Sequence, residues 1–223
     1  MTKTAQKKAQ KKVQKKAQKK AQKTATTDDL SSRDRLIEAT AVLLRRQGYA
    51  ATGLAQIVDV AQAPRGSLYF HFPGGKEELA SAALVRSSER QRARLQSALD
   101  EADAGDAVFA VVDVLAAELD ASGCKDGCPI ATVALEVGAD GGALSTLCRL
   151  SFDRWRQLIV DRLRAGGFDD AAADDAAWFI FSAVEGAQMM CRVQGTTAPL
   201  RAVGRQLSAM LRARPRTRSA SAR

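Results

Sequence analysis

Between residues 32 and 213 the apolar residues fall into helical repeats separated by glycine and proline. Leu36, Ile37, Ala39, Thr40, Leu43 and Leu44 recur on one face, which predicts a helix capped by Ser31 or Ser32 and running to about Gln47. Gly48 closes it and Tyr49 packs behind. Thr52 is placed to cap a short second helix whose apolar face is Leu54, Ala55, Ile57 and Val58. Ala61-Gln62-Ala63 breaks the pattern, and Pro64 suits the first turn of a third helix ending near His71. Lys76 opens a long helix through Leu79, Leu84 and Leu95 to about Ala102; its charged middle, Arg86 to Arg94, is expected to be solvated.

Five further helical patterns cover 106–121, 129–138, 142–165, 171–194 and 199–213. They are broken at Gly123, Gly127-Cys128-Pro129, Gly141-Gly142, Gly166-Gly167 and Gly195 to Pro199. No alternating strand pattern intervenes. The expected fold class is therefore all-α, with three helices in a small N-terminal domain (32–78) and six in a larger C-terminal one (79–213).

Charge changes this picture only at the ends. The net charge is +9, yet residues 1–23 alone hold ten Lys and no acid, and residues 212–223 hold five Arg and no acid. The body between them sums to about −6. Residues 5–23 repeat Ala/Val-Gln-Lys-Lys with a period of four, which drifts around a helix without making a seam. Residues 1–31 are read as a disordered Lys-rich arm and polar linker, and 214–223 as a basic disordered tail. The arm is suited to polyanions, or simply to solubility. No run of 18 apolar residues suggests a membrane span, and no apolar segment follows the N-terminal lysines as in a secretory signal. The cytoplasm is the expected location.

The third helix carries the most telling chemistry. It buries little beyond Leu68 and Phe72, and it presents Arg65, Gly66, Ser67, Tyr69, Phe70 and His71. Two short helices joined by a tight turn, the second exposed, form the helix-turn-helix that reads the DNA major groove. Arg65 suits bidentate bonding to guanine, with a phosphate contact as the alternative. Gly66 allows close approach to DNA, and Phe70 suits a thymine methyl or a sugar. The ordinary reading of Tyr69 is a core tyrosine. Thr52 and Lys76 stand at helix N-termini that favour phosphate. Pro73-Gly74-Gly75-Lys76 lacks the spacing and the preceding strand of a nucleotide loop.

At these residues the chain resembles the TetR family of transcriptional repressors. The resemblance lies in Thr52, in Gly66-Ser67-Leu68-Tyr69-Phe70-His71-Phe72 and in Lys76-Glu77. Ala63-Pro64-Arg65 and Pro73-Gly74-Gly75 make it similar to the LmrA/YxaF-like subgroup. Gly127-Cys128-Pro129-Ile130, Trp155, Leu163, Gly166, Glu185-Gly186-Ala187 and Pro199-Leu200 continue that likeness through about 33–213. One departure is Gln62, where the family usually has Gly; a left-handed backbone there would cost about 1 kcal/mol. The resemblance implies a homodimer formed through 171–194 and 199–213, with Ala173, Ala176, Ala177, Ala183, Gly186 and Ala187 permitting close helix approach. It also implies a phosphate contact for Tyr69 and a C-terminal domain that binds a small-molecule effector.

Candidates for the effector site are Phe109, Phe152, Trp155, Trp178 and Met189 for an apolar cavity, with Glu136 and Glu185 as carboxylates set in apolar runs. Each also has an ordinary reading, as core or as a link to a neighbouring helix. Catalysis is not expected. The single histidine, His71, is already on the recognition helix, so no histidine triad or metal centre can be built elsewhere. No cofactor and no metal is expected. Cys124 and Cys128 form the one suggestive cysteine spacing, read first as reduced structural residues and second as a redox pair. The expected function is thus a repressor that binds a palindromic double-stranded operator as a dimer and is released by an effector. The alternative is a sequence-tolerant architectural DNA-binding protein that uses the Lys-rich arm.

Overall fold

The computed structural model describes residues 30–100, 104–139 and 141–213, and the helices stand within a few residues of their expected ends. The Lys-rich arm, its linker to residue 29 and the basic tail from residue 214 lie outside the described residues. In chain order the helices are α1 (Ser32–Gln47), α2 (Leu54–Ala61), α3 (Arg65–His71), α4 (Gly75–Leu99), α5 (Ala104–Ala121), α6 (Pro129–Val137), α7 (Ala143–Ala165), α8 (Asp170–Gln194) and α9 (Ala198–Ala213). No strand occurs among the described residues.

Local chemistry fixes the boundaries. The Ser31 hydroxyl oxygen accepts from the Asp34 amide at 3.1 Å and caps α1, and Gly48, at φ 80°, ends it. Cys128 rather than a hydroxyl caps α6, accepting from the Ala131 amide at 3.4 Å. Gln62 does take the left-handed backbone (φ 49°, ψ 40°); its amide and that of Ala63 turn back to Asp59 and Val58.

Three expectations are corrected. Thr52 does not cap α2. Gly53 holds that position, and the buried Thr52 hydroxyl donates to the Gly48 carbonyl at 2.5 Å, so it knits the α1–α2 turn from inside. Ala55 is exposed, and Ala61 takes its place beside Ile57 and Val58. The Arg86–Arg94 stretch of α4 is solvated only in part: Glu89, Arg90 and Arg92 to Arg94 are exposed, but Ser87 and Ser88 are buried, and Arg86 and Arg90 pair with the acids of α1.

Helix α1 lies at the centre. It packs on α2 and α3 on one side and on α4 and α6 on the other. One apolar core runs without a break from Leu36, Ile37 and Leu44 through Ile57, Leu68, Phe72 and Leu79 to Ile130 and Val133 of α6 and Trp155 of α7. The helix-turn-helix therefore shares its core with the C-terminal domain. A second core joins α5, α7, α8 and α9. Ala173, Ala177 and Ala187 are buried in that second core within the chain, so they are not the small residues of an outer helix face.

Helices α5 and α9 pack closely. A Cβ added at Gly204 would lie 2.5 Å from one methyl of Val112 and 3.3 Å from the other. Arg201 spans the same interface to Asp113 (2.9 Å) and Asp120 (3.1 Å). Gly204→Ala is expected to destabilise the protein by about 1–3 kcal/mol through overpacking. Urea unfolding should show that this cost shrinks in a Val112→Ala background, where the opposing methyls are gone. Equal costs in the two backgrounds would mean that the two residues do not collide.

Candidate nucleic-acid interface and ligand cavity

Helix α3 is held to the protein by its inner side alone. Leu68 and the following Phe72 are buried, and the Ser67 hydroxyl donates to the Pro64 carbonyl at 2.7 Å. His71 Nε2 shares a 2.8 Å hydrogen bond with Ser32 Oγ, which fastens the end of α3 to the start of α1. Arg65, Gly66, Tyr69 and Phe70 are left on one outward face, with Phe70 81% exposed. No atom lies within 4 Å of a Cβ built at Gly66. Glycine costs about 1 kcal/mol against alanine in a helix, and no neighbour in this chain requires it there. Ser67 and His71 border this face but are occupied within the domain. Lys76 lies at the start of α4, with its ammonium 4.3 Å from the Tyr49 ring and 3.3 Å from the Ala50 carbonyl.

Helix α1 is fastened to the C-terminal domain at three points. Arg86 bonds Asp34 at 2.5 Å, and Arg90 bonds both oxygens of Glu38 at 2.8 and 3.2 Å. The Arg90 guanidinium holds the Glu38 carboxyl below its ordinary range. At the other end Arg46 bonds Asp126 at 2.6 Å, the Gly127 amide donates to the Arg45 carbonyl at 3.1 Å, and Arg192 of α8 donates to the Arg46 carbonyl at 3.0 Å. The third point is Glu136 of α6. Its two oxygens accept from the Tyr49 and Ala50 amides at 3.0 and 2.6 Å, in the turn between α1 and α2. Gly48 makes room for it, since a Cβ there would lie 1.5 Å from the carboxylate.

Behind these links lies a cavity of about 140 Å³. Leu95, Leu115, Trp155, Ile159 and Phe181 give it apolar walls, and Arg45, Arg90 and Arg94 approach it from α1 and α4. The Trp155 indole donates to the Ser88 carbonyl at 3.1 Å, which fixes the ring in the wall. A wider surface groove of about 1040 Å³ shares Gly127, Cys128, Phe181, Glu185 and Gln188 with the cavity. Glu185 stands in this common wall. Burial pushes its carboxyl up to about 7, against hydrogen bonds donated by the Cys128 thiol and the Gln188 amide. Burial also pushes the Cys128 thiol well up and the Cys148 thiol to about 11, the opposite of an activated thiolate. Among the described residues no disulfide forms, and no group of three His, Cys, Asp or Glu could hold a metal.

The sequence candidates divide accordingly. Trp155 and Glu185 line the cavity; Phe152, Trp178, Met189 and again Glu185 line the groove. Phe152 meets Trp155 and Phe181 edge-on at 5.9 and 5.3 Å, and Arg156 lies 4.7 Å over the Trp178 ring. Two candidates fall outside. Phe109 is exposed on α5 and lines neither space, and Glu136 is spent on the α1–α2 turn. The cavity-facing Ser87, Gln91 and Gln188 escaped notice because they are small or polar. For the two on α4 the signal was spacing, since Leu84, Ser87, Gln91 and Leu95 follow one helical face.

Residues 36–83 match the model of the bacterial regulatory proteins of the TetR family, and residues 104–206 match that of the C-terminal domain of LmrA/YxaF-like transcriptional regulators. The chain is 31% identical over 182 residues to the HTH-type transcriptional regulator YxaF of Bacillus subtilis, covering 81% of this chain and 95% of that one. It is 29% identical to the HTH-type transcriptional regulator LmrA of the same organism, over 76% of this chain and 90% of that one. Among solved structures, a TetR transcriptional regulator from Legionella pneumophila superposes with a TM-score of 0.73 at 18% identity, over 83% of this chain and all of that one.

The raised carboxyl of Glu185 makes stability depend on pH. The folded chain keeps this proton up to about pH 7, whereas an ordinary glutamate releases it near 4.5. Its contribution to stability is therefore full below pH 4.5 and is lost as pH rises through 7. Glu185→Gln removes that loss. Its unfolding free energy relative to the parent should rise between pH 5 and pH 8, by on the order of 2–3 kcal/mol. Parallel stability curves across that range would place Glu185 in contact with water.

Proposed function

The chain belongs to the TetR family of bacterial regulatory proteins, in its LmrA/YxaF-like branch, and we propose that it is a repressor released from its operator by a small molecule. It is a DNA-binding transcriptional regulator and not an enzyme. The finer reading is a cytoplasmic homodimer that sets two α3 helices in the major groove at the half-sites of a palindrome. No described helix is long and apolar enough to cross a membrane.

The observation that carries this reading is the outward face of α3: Arg65, Gly66, Tyr69 and Phe70 are exposed, Phe70 meeting only the ring of its neighbour His71, while Leu68 and Phe72 behind them are buried. Arg65 reads a base, Tyr69 and Lys76 reach phosphates, and Phe70 meets a thymine methyl or a sugar. The buried Thr52 hydroxyl is left out of the contact set. The dimer forms through α8 and α9, where Phe179, Met190 and Val193 of α8 and Met210 of α9 are exposed apolar residues. A largely apolar, planar effector binds between Trp155, Phe181 and Glu185 and reaches toward Phe152, Trp178 and Met189. It favours a state in which α1, and with it α3, is misplaced for DNA.

Operator titrations with single substitutions test the DNA half. Arg65→Ala should cost about 1–3 kcal/mol and relax the preference at one base pair per half-site, whereas Lys76→Ala should weaken all sequences alike. A sequence preference identical in the parent and in Arg65→Ala would remove Arg65 from base readout. Loss of binding to operator and random DNA by the same factor on deleting the Lys-rich arm, with no operator preference in the parent, would favour the architectural alternative.

A further inference from the structure

Of the charged residues that line the cavity, Glu185 alone has no ion pair among the described residues, and this says what kind of molecule the cavity takes. Three arginines approach it, and each is paired within the chain: Arg45 with Asp126 (3.8 Å), Arg90 with Glu38 (2.8 Å) and Arg94 with Glu118. Glu118 is thereby spoken for as well. Glu185 is different. It forms no ion pair among the described residues, and its bonds come only from the neutral Cys128 thiol and Gln188 amide. Toward α7 it faces aromatic walls at Phe152 and Trp155. On the groove side the charged residues are Arg46, Lys125 and Arg192. Of these, Arg46 is paired with Asp126 and Arg192 donates to the Arg46 carbonyl, and neither they nor Lys125 form an ion pair with Glu185.

We propose that the effector of this protein is a lipophilic amine, its ammonium seated on Glu185 and its apolar body among Trp155, Ile159 and Phe181. This rests on the reading that the cavity is the effector site. A carboxylate set in an apolar wall without a cation is costly to ionise, and a ligand that brings the cation removes that cost. A neutral ligand leaves the protonation of Glu185 as it was, and an anion opposes its ionisation. The two spaces share Glu185, so an amine entering from the groove meets the carboxylate at the threshold, and its apolar part can occupy the cavity beyond.

Proton balance follows from the same seat. The carboxyl sits at about 7, so the amine complex needs Glu185 to give up its proton to solvent when the ligand arrives charged. Affinity for an amine that stays protonated throughout therefore rises between pH 6 and pH 8, by roughly tenfold. Affinity for a neutral ligand of the same shape stays level.

The experiment uses three probes with one body and three heads: 4-phenylbutylamine, 4-phenylbutan-1-ol and 5-phenylpentanoate. Binding to the full chain is followed by the fluorescence of Trp155 and Trp178 together and by calorimetry at pH 6, 7 and 8. The expected order is amine, then alcohol, then acid, with the amine tightening about tenfold over that range and the alcohol unchanged. Glu185→Gln should abolish both the amine preference and its pH dependence while leaving alcohol binding intact, which also shows that the variant is folded. Equal binding of amine and alcohol in the parent, stronger binding of the acid, or an amine preference that survives Glu185→Gln would overturn the amine class and leave the cavity as a site. Absence of binding by all three probes would overturn the cavity as the effector site, and the amine proposal with it.

Discussion

Everything α3 can do on DNA depends on where α1 is held, and α1 is buried from both sides. Its inner residues Leu36, Ile37 and Leu44 are almost wholly removed from water, and the core they belong to extends from α2 and α3 across to Ile130, Val133 and Trp155. A domain with its own separate core could pivot on a linker. This one cannot turn far without opening apolar surface, at roughly 25 cal/mol for each Å² exposed. The shared core keeps the reading head in register with the cavity walls.

The polar links set direction more than strength. The Arg86, Arg90 and Arg46 pairs are partly exposed, and each is worth about 1 kcal/mol or less. Glu136 is more constraining, because it takes two consecutive backbone amides of one tight turn and fits only because Gly48 carries no side chain. Helix α6 begins at the cavity, with Cys128 and Pro129 in its wall, and ends at the turn that leads into the helix-turn-helix. A ligand that displaces the start of α6 by a small amount acts on that turn through one short rigid helix. To take the protein from mostly bound to mostly free, the ligand must favour the second state by about 5.5 kcal/mol.

The helices were readable because each has a strong apolar period bounded by glycine, proline or a cap, and α3 because its composition is so unlike that of a buried helix. Of the outward residues, Arg65 came from its hydrogen-bonding chemistry, Phe70 from spacing and Tyr69 from the family resemblance. What escaped was long-range. No local pattern says that Glu136 reaches residues 49 and 50, that Arg86 and Arg90 find Asp34 and Glu38, or that the thiol of Cys128 rather than a hydroxyl caps α6. Thr52 was misread because a threonine before a helix usually caps it. Here the chain places Gly53 at the cap and the hydroxyl inward. Phe109 looked like cavity wall by its size, yet the face of α5 that carries it is not the one turned to α7 and α8.

The claim that the C-terminal domain positions the reading head through Glu136 can be measured directly. Spin-labelled unnatural side chains at the exposed Val60 of α2 report the separation of the two helix-turn-helix units in the proposed dimer by pulsed electron resonance. The parent protein should give one narrow distance. Glu136→Ala should broaden it markedly, because the α1–α2 turn loses its two hydrogen bonds while the shared core keeps the chain folded at nearly the same melting temperature. A distribution as narrow in Glu136→Ala as in the parent would contradict the account, and would assign the positioning of α3 to the apolar core alone.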